Sequence, residues 1–166
     1  MAFISSIKRV NWEFDFDNFL EQDNLMNDYL FKFEDQIRNI DKNSSIIEQG
    51  ALLWNCIYYV LSQYLSENDS LISVRHEDIC YEPIITFRNL FESLNINFTD
   101  EIKKSLSGFV SANKVEAENN KVHDLHRNSK NLAKVWKERL TEEEIKYIKA
   151  KTYKLASKFY NDSSWD

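Results

Sequence analysis

The chain has 166 residues, with 21 Lys plus Arg against 27 Asp plus Glu and only two Gly and one Pro, which excludes collagen-like, proline-rich and glycine-linker architectures. With 43% hydrophobic and 14% aromatic residues it carries ample apolar surface for a core, so general disorder is excluded as well. The net charge of -6 leaves no global field that would draw the chain onto nucleic acid.

In chain order, the first segment, Met1 to Arg9, is too short in its apolar part for a signal peptide, and its charges follow the apolar residues instead of preceding them. Ser5, Ser6, Lys8 and Arg9 form a small polar and basic cluster on a short helix. Leu25, Met26, Tyr29, Leu30, Phe33 and Ile37 recur at spacings of three and four and predict a helix over 24–40. A second helix is predicted from Ser45, a good N-cap, to Leu65; its apolar residues cover so much of the circumference that it must be central. The apolar stretch Ala51 to Leu65 is broken by Asn55, Ser62 and Gln63 and is shorter than the roughly 20 residues of a membrane span, so a soluble, cytoplasmic protein without a membrane anchor is expected. Leu71 to Val74 is a short β-rich run and reads as one buried strand, stopped by the acidic turn Arg75 to Asp78.

Pro83 suits the first turn of the next helix, which Ile84, Phe87, Leu90, Phe91 and Leu94 continue. Thr99, Asp100 and Glu101 open another helix that runs to Val110. The pattern is lost over 111–128, which reads as a flexible loop. Helices return over 129–139 and from Thr141, where Thr141 and Glu144 make a capping box ahead of the stripe Ile145, Ile148, Thr152, Leu155, Ala156 and Phe159.

Much chemistry is excluded by what is missing. The two glycines, Gly50 and Gly108, lie in helical patterns, so neither a Walker-type phosphate loop nor a dinucleotide-binding turn can be built. No metalloprotease or nucleophile-elbow motif occurs, and Cys56 and Cys80 read as reduced core residues. His123 and His126 have the spacing to share a metal but no matching third ligand, and solvated loop histidines are the favoured reading. His76, Glu77 and Asp78 follow a predicted strand end, where α/β folds place ligands; helix capping and local pairing are the simpler account. Arg127, Ser129 and Lys130 precede a helix and combine a cation, a hydroxyl and helix N–H groups, which suits a phosphate; a surface charge and a plain N-cap are the alternative.

Three segments together carry a resemblance. They are Ala2 to Arg9; Ile72-Ser-Val-Arg-His-Glu-Asp-Ile79 with Pro83 and Phe87-Arg-Asn-Leu-Phe91; and Arg127-Asn-Ser129 followed by Trp136-Lys-Glu-Arg-Leu-Thr-Glu-Glu-Glu-Ile145 and Phe159-Tyr160. In this order the chain resembles the C-terminal two thirds or so of a sulfotransferase of the bacterial and Golgi carbohydrate type. The resemblance implies an α/β fold related to nucleotide kinases, mostly helical in this chain with one or two core parallel strands. It implies a single incomplete domain over 1–166, without the N-terminal part that binds the phosphosulfate.

The implied reaction is in-line transfer of a sulfuryl group from 3′-phosphoadenosine 5′-phosphosulfate to a hydroxyl or amine of a sugar-like or other acceptor, with no metal, nucleic acid or membrane involved. By resemblance Ser6 matches the serine that holds the donor's 3′-phosphate, while the arginine eight residues ahead of it, the glycine-bearing loop and the catalytic base fall outside this chain. Arg127 and Ser129 would close over the nucleotide. Arg75 and Glu77 would serve the fold. Two alternatives stand beside this reading: one half of a split enzyme that meets an N-terminal partner, or itself, through Leu71 to Val74; and a helical interaction module with no enzymatic role.

Overall fold

The computed structural model describes residues 1–40, 43–110 and 133–165, and the chain divides into two units, Met1–Leu71 with Trp136–Asp166, and Ile72–Val135. In the first unit, helix α1 (Ala2–Val10) buries Ile4, Ser5 and Ile7 and stops at Asn11. Asn11 adopts the left-handed conformation (φ 47°), and its N–H turns back onto the last carbonyls, a position asparagine tolerates better than most residues. Four aromatic side chains follow. Phe14 packs edge-on to Phe16 at 5.0 Å and lies 5.0 Å from Phe19 and 6.0 Å from Trp12, so a cluster of rings packs around the short helix α2 (Asp17–Leu20).

The helix predicted over 24–40 is present but uneven. An α-turn, α3 (Asp23–Leu25), passes into a π-turn (Met26–Leu30), a tight 3-10 turn (Phe31–Phe33) and α4 (Glu34–Asn39). A π-turn holds more residues than an α-turn and a 3-10 turn fewer, so the two offset each other and Leu30 and Ile37 both remain in the core.

Helix α5 (Ile46–Glu67) is the central element. Its start is a complete capping box: the Ser45 N–H donates to Glu48 Oε2 at 2.8 Å, and the Glu48 N–H donates to Ser45 Oγ at 3.2 Å. Residues from Ile47 to Cys56 are buried almost all round, because apolar clusters form on two sides of the helix. One joins Leu52, Leu53 and Cys56 to Ile7, Phe16, Met26, Leu30 and Ile37; the other joins Ile47 and Ala51 to Ile4, Trp136, Leu140 and Ile148. After a turn at 133–135, α9 (Trp136–Arg139) leads into α10 (Glu142–Ala156), whose buried Ile148, Thr152 and Ala156 lie at helical repeats of four. The Asn55 amide donates to the Lys151 carbonyl at 3.0 Å and ties α5 to α10.

In the second unit α6 (His76–Tyr81), α7 (Pro83–Ser93) and α8 (Asp100–Val110) follow one another, with α7 packed against both neighbours. Pro83 occupies the first turn of α7, as its missing N–H and fixed φ favour. The far end closes in a Schellman motif: Asn95 has φ 55°, its N–H reaches Glu92 O at 3.0 Å, and the Ile96 N–H reaches Phe91 O at 2.8 Å.

The expected α/β fold with one or two parallel strands is not what forms. The described residues contain helices and turns and no strand, and Leu71 to Val74 has no regular structure. A strand exists only through hydrogen bonds to another strand, and no other described segment pairs with this one. The acidic turn expected after it is instead the helix α6. The loop expected over 111–128 and the first part of the helix expected over 129–139 lie outside the described residues. No helix among the described residues is long and apolar enough to cross a membrane.

Candidate functional site

Of the three residues assigned to nucleotide binding, Ser6 lies within the described residues, and Arg127 and Ser129, like His123 and His126, lie outside them. Helical register separates the adjacent serines of α1. Ser5 is fully buried and its hydroxyl donates to the Ala2 carbonyl at 2.9 Å, whereas Ser6 is exposed. Arg9, one turn further along α1, is exposed too, so a hydroxyl and a guanidinium share a solvent-facing strip. Lys8 points the other way. Its ammonium donates to the Arg139 carbonyl at 3.1 Å and to Glu144 at 2.8 Å, closing the corner between α1, α9 and α10. Burial pushes the Glu144 carboxyl upward, but the bonds from Lys8 and from the Thr141 N–H, with the Lys8 charge, outweigh it and hold the group below its ordinary value.

The segment around α6 is joined residue to residue. Arg75 donates from Nε and Nη2 to the two Asp78 carboxylate oxygens, at 2.8 and 2.5 Å, while the Thr86 hydroxyl of α7 donates to the Asp78 carbonyl at 3.0 Å. With both partners of the ion pair partly exposed, its worth is at most about 1 kcal/mol, and it ties Arg75 to the first turn of α6. Glu77 Oε2 is shut off from solvent and accepts no hydrogen bond. Cys80 Sγ lies 3.6 Å from both ring nitrogens of His76. That equidistance does not aim the thiol along one lone pair, and burial followed by the Glu77 charge pushes the thiol up, away from thiolate chemistry.

No three His, Cys, Asp or Glu side chains among the described residues are grouped to hold a metal. The open depression lined by Gln22, Asp23, Asn24, Leu25, Asp28 and Tyr29 contains none of the assigned residues, and its aspartates do not suit a phosphate. Sequence reasoning missed the helical character of 76–81 and the unpaired Glu77 oxygen; the first was signalled by Glu77 and Asp78 at what proves to be a helix N-terminus. No family model, curated protein or solved structure matches the chain.

Proposed function

We propose that the chain takes part in sulfuryl transfer from 3′-phosphoadenosine 5′-phosphosulfate to a hydroxyl or amine acceptor, as the portion of a sulfotransferase that closes over the nucleotide. The observation that supports this reading is the local wiring of the segment that carries the resemblance: Arg75 pairs with Asp78, the Asp78 carbonyl accepts from Thr86 of α7, and Pro83 opens α7. Exposed Ser6, with Arg9 one turn away, has the chemistry of a 3′-phosphate contact. Arg127 and Ser129 are assigned to the same nucleotide by resemblance. The transfer develops charge that fixed cations and backbone donors must stabilise, and these 166 residues contain no glycine-bearing loop to supply the donors, so the chain alone is expected to be inactive. Two buried thiols that form no disulfide fit a cytoplasmic setting.

The DNA upstream of the Met1 codon tests the reading. An in-frame arginine codon three codons ahead, with a glycine-bearing loop further back, is expected; their absence would overturn it. In the protein so completed, Arg127→Ala is expected to weaken calorimetric binding of 3′,5′-adenosine bisphosphate by about 1.5–3 kcal/mol, the worth of a charge-assisted contact. Unchanged affinity removes Arg127 from the site. The second reading, a helical interaction module without enzymatic role, is favoured by the lack of any strand among the described residues, and the same upstream sequence separates the two.

A further inference from the structure

Helix α10 is acidic at its start and basic after it. Between Ile145 and Asn161 the sequence holds five lysines and no aspartate or glutamate, in a chain whose net charge is -6. Four of the five, Lys146, Lys149, Lys151 and Lys154, lie within the helix. All four are exposed, and none makes an ion pair or an ammonium hydrogen bond among the described residues. Lys149 and Lys151 rest against rings instead, with Nζ 5.4 Å from the Trp165 centroid and 5.5 Å from that of Tyr147. Lys146 with Lys149, and Lys151 with Lys154, are three apart, a spacing at which like charges on a helix repel. An anionic partner removes that repulsion.

Geometry narrows the occupant. The four lysines are placed symmetrically about exposed Ala150: Lys146 and Lys154 lie about 40° to either side of it around the helix, and Lys149 and Lys151 about 100° to either side. The front of the helix is thus a small side chain and both flanks carry cations; Tyr153, on the Lys146 side, is tied to Asp162 by its hydroxyl at 2.9 Å. A flat anionic surface laid against Ala150 meets the front pair and leaves the lateral pair pointing along it. A groove with phosphates on both rims meets all four. The major groove of B-form DNA, about 12 Å wide, admits a helix, whereas that of A-form RNA is too narrow. The acidic net charge does not forbid the contact, since at physiological salt charges beyond about 8 Å are largely screened and the near face decides. We infer that the lysine face of α10 binds the phosphate backbone of duplex DNA, without reading its bases, and that Glu142 and Glu143 end the footprint at the start of the helix. The resemblance implies no nucleic acid; the inference stands on the lysines alone and does not depend on nucleotide binding.

The test is a fluorescence anisotropy titration of a labelled DNA duplex of about 20 base pairs with the full chain, over a range of salt concentrations starting at about 50 mM. The logarithm of the binding constant is expected to fall against the logarithm of salt with a slope of about -3.5, the release expected for four lysines. Lys149→Gln with Lys151→Gln is expected to reduce that slope by about 2, and Lys146→Gln with Lys154→Gln by as much. Glutamine is nearly as good a helix former as lysine, so the circular dichroism of these variants should stay that of the parent. Lys149→Arg with Lys151→Arg should keep the slope, and Lys103→Gln with Lys104→Gln, on α8, should leave it unchanged. No binding at low salt, or binding that the glutamine variants leave intact, overturns the inference. So does a loss confined to the Lys146 and Lys154 pair together with binding to phosphatidylglycerol vesicles, since the face then meets a flat surface. Equal affinity for duplex RNA or for polyglutamate overturns it too, because the groove then plays no part.

Discussion

Lys8 makes two polar bonds to residues more than 130 positions away in the chain, to the Arg139 carbonyl and to Glu144. It spends its charge on Glu144 and its remaining donors on the open carbonyl of Arg139, at the point where α9 ends and α10 begins. Replacing it with methionine keeps most of the aliphatic stem and removes these bonds, and a loss of about 1 kcal/mol in urea unfolding at pH 7 is expected. The sign of the pH dependence follows from Glu144. Its folded pKa is depressed, so its contribution is complete above the ordinary glutamate value of about 4.3 and is lost as the pH falls through the lower folded value. Between about pH 5 and 3 the parent is expected to lose stability more steeply than Lys8→Met. Equal slopes would show that the pair contributes nothing. Ser5 and Ser6 belong to this scale as well: the sequence places two hydroxyls side by side, and one residue of helical rotation, 100° about the axis, sends one into the core and leaves the other at the surface.

Between elements, α1 crosses α5 closely at Gly50. A Cβ placed on Gly50 would stand 3.1 Å from Ile4 Cγ2 and 3.4 Å from Ile4 Cγ1, and Ile4 is itself buried. Helix propensity favours alanine over glycine by about 1 kcal/mol, and crowding a packed core costs about 1–3 kcal/mol. Gly50→Ala is therefore expected to destabilise the parent by about 1 kcal/mol, and to stabilise an Ile4→Ala background, where both contacting atoms are gone. A double-mutant cycle by thermal unfolding checks this; additive effects would mean that the crossing has room. The helices themselves were largely legible. Ser45, Thr141 with Glu144, and Pro83 mark their starts through local chemistry, and the structure begins helices at each. Leu71–Val74 was misread because a β-rich composition states a preference that only a second strand can realise.

At the scale of the molecule, each unit carries one buried cysteine, Cys56 on α5 and Cys80 on α6, and the two form no disulfide. Burial pushes the Cys56 thiol up to about 12. Both thiols are expected to be silent toward an aromatic disulfide reagent in the native protein at pH 7.5. In a urea titration Cys80 should react before Cys56, because it is held by short helices while α5 is enclosed by two apolar clusters. Release of both thiols at one urea concentration would show a single cooperative transition. The candidate site was less legible than the fold. Ser6 is exposed as a ligand contact requires, Arg127 and Ser129 lie outside the described residues, and the unsatisfied Glu77 oxygen has no counterpart in any motif because burial and hydrogen bonding are set by neighbours distant in sequence.

The amino-acid sequence by itself determined the helix starts, the central place of α5 and the lack of a glycine phosphate loop, since caps, periodicity and missing residue types are local properties that need no partner. Only the tertiary structure decided which serine of α1 faces outward, where Ile4 meets Gly50, and that Leu71–Val74 forms no strand. Those outcomes depend on contacts between residues far apart along the chain, and the energy of such a contact exists only once both sides are in place.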